Sequence, residues 1–78
     1  MYLLHKHTYC RDWLMPSEAP DRCASRQEAM LTFREAFRHL VGRKPSSAQV
    51  RRFASEGTVE ARSGDLTYSF SMTKEGQR

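Results

Sequence analysis

The sequence predicts an α+β domain in which two amphipathic helices cover one face of a small, mostly antiparallel three-stranded sheet. Three observations carry this reading. Two stretches place apolar residues at helical spacing, each between a cap residue and a glycine. The strict alternation of Leu66, Tyr68, Phe70 and Met72 with Thr67, Ser69, Ser71 and Thr73 is that of a half-buried strand. The chain has 78 residues, 38% hydrophobic and 28% charged, which fits one small folded domain spanning 1–78.

In chain order, residues 1–9 read as a strand, because Tyr2, Leu3, Leu4, Thr8 and Tyr9 are good strand formers. Its pairing partner is left open. Residues 10–24 contain Pro16, Ser17, Pro20 and Asp21 and read as a loop. Trp13, Leu14 and Met15 form an apolar island in it, expected to fold back over the core as a plug. Ser25 and Glu28 make an S-x-x-E capping box that starts the first helix. Ala29, Met30, Phe33, Ala36, Phe37, Leu40 and Val41 then share one face, and Gly42 stops the helix. Ser46 and Gln49 start a second helix, with Pro45 placed to staple against Val50. Val50, Phe53 and Ala54 form its short apolar face, and Gly57 ends it. Thr58 to Arg62 reads as a strand with Val59 and Ala61 inward. Ser63-Gly64-Asp65 is the turn into the alternating strand. Residues 75–78 are expected to fray. The order is β-α-α-β-β.

A chain this short has a thin core and little room for a deep pocket, which favours a binding protein over an enzyme. No run of 18 apolar residues is present, and the first residues lack the apolar stretch and cleavage pattern of a secretory signal. A cytoplasmic location is expected, in the host cell if the chain is phage-encoded, with no membrane partner. No cofactor motif is present: there is no G-x-G-x-x-G and no G-x4-G-K-[ST]. Gly42 to Ser47 puts basic residues before a helix start but lacks the glycines of a phosphate loop.

The net charge of +4 is not spread evenly. Between Arg34 and Arg52 lie six basic residues and one acid, net +5; the rest holds seven basic and eight acidic residues, net −1. Arg34, Arg38, Arg43, Lys44, Arg51 and Arg52 are therefore the candidate partner-binding residues. A concentrated basic segment suits an acidic protein surface or nucleic acid. Solvation of two helix faces is the competing explanation. The helix-turn-helix order with a hairpin behind it invites a winged-helix reading, with Arg51 and Arg52 on a recognition helix. Against it stand a second helix of about ten residues and a wing that carries Ser and Thr outward.

Two further sets were weighed. His5, His7, Cys10 and Cys23 offer four nitrogen and sulfur donors that could close a structural zinc site stapling the loop to the first strand, although H-x-H-x2-C-x12-C matches no common zinc spacing. A Cys10–Cys23 disulfide is disfavoured in a reducing compartment. A Cys–His nucleophilic dyad lacks an orienting third group. The hydroxyl face Thr67, Ser69, Ser71 and Thr73 suits a wet sheet face, or an edge strand that pairs with a partner.

In its small size, basic α+β character, own starting methionine and lack of catalytic groups, the chain is similar to the small accessory proteins of phages and other mobile elements, anti-CRISPR proteins among them. That resemblance is one of type and attaches to no particular residue. It implies a stoichiometric inhibitor or regulator. Such a protein would occlude a larger protein or nucleoprotein complex by docking the basic segment on an acidic or nucleic-acid-binding surface. The alternatives are a small DNA- or RNA-binding regulator using the same arginines, and a zinc-stapled structural module. The oligomeric state is open.

Overall fold

The computed structural model describes residues 1–16 and 18–74. The expected fraying at 75–78 lies outside the described residues. The elements in order are β1 (Tyr2–Cys10), β2 (Trp13–Leu14), β3 (Asp21–Cys23), α1 (Arg26–Val41), α2 (Ser47–Glu56), β4 (Thr58–Ser63) and β5 (Leu66–Lys74). Two helices pack on a mostly antiparallel sheet, so the α+β class holds, with five strands where three were expected.

The strand order is β2-β1-β5-β4, and β3 also pairs with β1. β1 lies antiparallel to β5 over its whole length, from Tyr2 opposite Lys74 to Cys10 opposite Leu66. Its other side is shared: β3 pairs with Tyr2–Leu4 at one end and β2 with Tyr9–Cys10 at the other. The two additions explain the miscount. Strands of two and three residues in a proline-containing segment are too short to show period-two alternation, and only the free side of β1 makes them strands.

The register sorts the side chains. Leu4, Val59, Ala61, Tyr68 and Phe70 share the helix-covered face and are buried. Leu3, His5, His7, Tyr9 and the hydroxyl row of β5 share the open face. On the covered side four phenylalanines interlock. Phe33 stacks on Phe53 with centroids 4.1 Å apart and meets Phe37 and Phe70 edge-on at 5.8 and 5.4 Å. Stacked and edge-on contacts suit the ring quadrupoles, so this cluster contributes more than its buried area alone.

Capping follows local sequence closely. In α2 the box is complete: Gln49 N–H donates to Ser46 Oγ at 3.1 Å and Ser46 N–H donates to Gln49 Oε1 at 2.9 Å. In α1 only half of it forms. Glu28 N–H donates to Ser25 Oγ, but the Glu28 carboxylate accepts from Ala24 N–H instead of Ser25. Gly42 and Gly57 end the helices at φ +87° and +75°, the left-handed geometry that favours glycine. The β4–β5 turn is two residues, Gly64-Asp65, because Ser63 pairs with Leu66. Positive φ at its first position (+62°) and not at its second is the II′ pattern.

The expected plug does not form. Trp13 is 79% exposed, and Leu14 and Met15 are exposed too. The phenylalanine cluster already fills the space between helices and sheet, so the island instead supplies β2 at the far edge.

Candidate anionic-partner interface

α1 and α2 run antiparallel. Arg26, in the first turn of α1, donates from its guanidinium to the Ala54 carbonyl near the end of α2. The five-residue connection from Gly42 to Ser46 closes the opposite end. Phe33 and Phe53 hold the helices together from below. Above them the facing flanks diverge into a groove.

The groove has a volume of about 520 Å³. Arg34 and Arg38 line it from α1, Lys44 from the connection and Arg51 from α2; Pro45 and Val50 add apolar surface, and Glu35 and Ser47 complete it. All four cations are exposed, and among the described residues none forms an ion pair within 4.0 Å. Leu31 is 56% exposed and shares the α1 flank with Arg34 and Arg38 at helical spacing. The arrangement is a cationic channel with an apolar strip. It can hold carboxylates or phosphates by charge-assisted hydrogen bonds and an apolar side chain beside them.

Of the six candidate residues, then, four converge. Arg43 is turned away, its guanidinium 5.7 Å from the centroid of the Phe37 ring, a cation–π distance. Arg52 pairs with Glu56 one turn later at 3.6 Å and does not line the groove. Adjacent arginines on a helix diverge by 100°, so 51 and 52 could not both face α1. Pro45 and Val50, read from the sequence only as a helix staple, also line the groove.

The four zinc-ligand candidates do not meet. His5 and His7 lie on the open face, while Cys10 and Cys23 lie on the helix side. Cys23 sits opposite Tyr2 and Cys10 at the other end of β1, about 26 Å away along the strand at 3.3 Å per residue. That span also forbids a Cys10–Cys23 disulfide and leaves the cysteines too far apart to share a metal. Cys23 is buried, with its thiol 3.7 Å from Thr32 Oγ1, and His5 Nε2 is 2.9 Å from Thr73 Oγ1. Among the described residues no group of three His, Cys, Asp or Glu side chains is gathered for a metal.

The hydroxyl strand is not an edge either: β5 lies between β1 and β4, so its backbone is already paired on both sides. A second cleft of about 270 Å³ between β1 and α1 is lined by Lys6, Thr8, Glu18, His39 and Leu40 among others. Its charge is largely spent, since Lys6 binds Asp21 at 2.9 Å. No helix is long and apolar enough to cross a membrane among the described residues. Comparison with known proteins finds nothing similar: no family model, no curated protein and no solved structure matches the chain.

Proposed function

We propose that this chain is a non-enzymatic inhibitor or regulator that covers a functional surface of a larger complex with its α1–α2 groove. The observation that carries the proposal is the convergence of Arg34, Arg38, Lys44 and Arg51, unpaired among the described residues, around one groove that Pro45 and Val50 also line, with Leu31 exposed on the same flank of α1. Solvated helix faces would scatter their cations; here two helices and their connection aim them into one channel. The mixture of cations and apolar surface suits an acidic protein segment that also carries an apolar side chain. Charge complementarity would speed encounter and set the register, and the apolar strip would slow release. Steric occlusion is the proposed mechanism, and the cytoplasm of a host cell is the proposed setting, which rests on the resemblance of type to phage accessory proteins and on no matched sequence or structure.

A second reading, nucleic-acid binding, is favoured by one observation. The α1-α2-β4-β5 connectivity puts a hairpin behind α2, whose exposed side carries Arg51 and Arg52. It is a fold-level analogy, weakened by the pairing of Arg52 with Glu56.

The test is affinity capture from nuclease-treated cell extract with wild type, Arg38→Glu/Arg51→Glu and Arg52→Glu. The double variant should lose the partner that wild type and Arg52→Glu retain. Equal recovery by all three refutes the groove as the interface. In parallel, titration with random duplex at about 50 mM salt decides the second reading: binding that falls steeply as salt rises supports it, and no binding eliminates it.

A further inference from the structure

The sheet has one long uncovered edge among the described residues. β1 is flanked on its outer side by β2 and β3, whereas β4 pairs with β5 alone and presents a six-residue strand, Thr58-Val59-Glu60-Ala61-Arg62-Ser63, on its other side. Unpaired backbone groups of this kind are a template for another strand. β4 has no proline, no lysine and no break in its register with β5, and its sequence alternates cleanly between faces, with Glu60 and Arg62 as its charges.

We propose that the β4 edge pairs antiparallel with the β4 edge of a second copy of this chain, in the register that puts Ala61 opposite Ala61 of the partner copy. The argument is charge complementarity. A two-fold axis relating two antiparallel edge strands stands perpendicular to the sheet, so both copies keep their helices on the same side. Opposed residues must then lie on the same face, which leaves only registers that differ by two-residue slips. Centring on Glu60 sets Glu60 against its own copy. Centring on Arg62 sets two arginines against each other. Centring on Ala61 sets Glu60 against Arg62 of the second copy and Arg62 against its Glu60, two cross-strand ion pairs on the open face, with Val59 facing Ser63 on the helix side. Opposite charges directly across a ladder stabilise it, and like charges destabilise it.

Within the chain both charges are free for this use. Glu60 faces Ser69 and Arg62 faces Thr67 across the β4–β5 ladder, and neither has an ion pair among the described residues. Off the groove, α2 carries the Arg52–Glu56 pair, which is neutral as a unit. The basic groove faces α1 on the other flank, so its charge is turned away from the seam and is largely screened from it at about 0.15 M salt, where the Debye length is about 8 Å.

The test is sedimentation equilibrium from about 10 µM to about 1 mM, a range that resolves weak self-association. The samples are wild type, Glu60→Arg, Arg62→Glu and the charge-swapped double variant. Both positions are exposed, so circular dichroism should show the same fold in all four. Wild type should dimerise reversibly. Each single variant, which sets like charges opposite each other twice, should raise the dimer Kd about tenfold or more. The double variant restores both pairs with reversed polarity and should return to within about threefold of wild type. A monomeric wild type throughout the range overturns the proposal. Single variants that dimerise as well as wild type place the contact elsewhere, and a double variant as weak as the singles overturns the register.

Discussion

Replacing Phe33 by alanine should cost more than any other single truncation in the phenylalanine cluster. Phe33 is fully buried, and three of the four ring contacts in the cluster involve it. Removing a fully buried ring forfeits about 2–3 kcal/mol of transfer free energy. The site sits under both helices and over β5, so it collapses poorly, and a residual void of about 80 Å³ adds about 2 kcal/mol. The expected loss is about 4–5 kcal/mol. Phe53 is equally buried but has only the stacked contact with Phe33. Its truncation spares the two edge-on contacts, so Phe53→Ala should cost about 1–2 kcal/mol less. A domain of this size has a total stability of about 4–12 kcal/mol, so Phe33→Ala brings it close to unfolding. The assay is urea denaturation followed by far-UV circular dichroism, because Trp13 is exposed in the native state and its fluorescence would report little. With an m-value of about 1.2 kcal/mol/M, the urea midpoint should fall by about 3.5–4 M. Should the alanine variant be unfolded without denaturant, Phe33→Leu provides the graded measurement, at about 1–2 kcal/mol. A Phe33→Ala cost below about 2 kcal/mol, or one no larger than that of Phe53→Ala, would refute the assignment of Phe33 as the hub of the core.

Two other predictions follow from local geometry. Ser46→Ala removes the acceptor of the Gln49 N–H and Ser25→Ala the acceptor of the Glu28 N–H, each bond 3.1 Å, so each should destabilise the protein by about 1 kcal/mol; thermal shifts that leave either variant as stable as wild type would contradict the capping role. Arg11 turns from β1 into β2 at φ +58°, a conformation costly for most side chains, and is held there by its N–H donating to the Asp65 carbonyl at 3.0 Å. Arg11→Asn, which tolerates that region, should be neutral or stabilising by up to about 1 kcal/mol, and Arg11→Val destabilising by about 1 kcal/mol or more, with the order of melting temperatures as the check.

The legible parts of the fold were those written in short range. Both helix starts, both glycine stops and the inward set Val59, Ala61, Tyr68 and Phe70 depend on residues within a few positions of one another. The turn was placed within one residue, since Gly64 marks it whichever neighbour closes the ladder. What escaped was non-local. β2 and β3 are strands only because β1 offers them a side, and Trp13-Leu14-Met15 looked like a plug because apolar content says nothing about whether the core has space left. The basic segment was legible as charge. Its division into four groove residues, one arginine on Phe37 and one arginine on Glu56 was not, because that division depends on the angle at which α2 returns along α1.

By itself, then, the amino-acid sequence determined that this protein is α+β, where its helices begin and end, which strand faces are apolar, and that its excess of positive charge lies between residues 34 and 52. Caps, alternation and charge are properties of neighbouring residues, so they survive without knowledge of what packs on what. Only the tertiary structure decided that β1 pairs with β5, that the histidines and cysteines lie on opposite faces and cannot share a metal, that Arg34, Arg38, Lys44 and Arg51 line one groove, and that β4 is the open edge. Each of these depends on segments far apart in sequence being brought together by the phenylalanine core, and no window along the chain contains both partners.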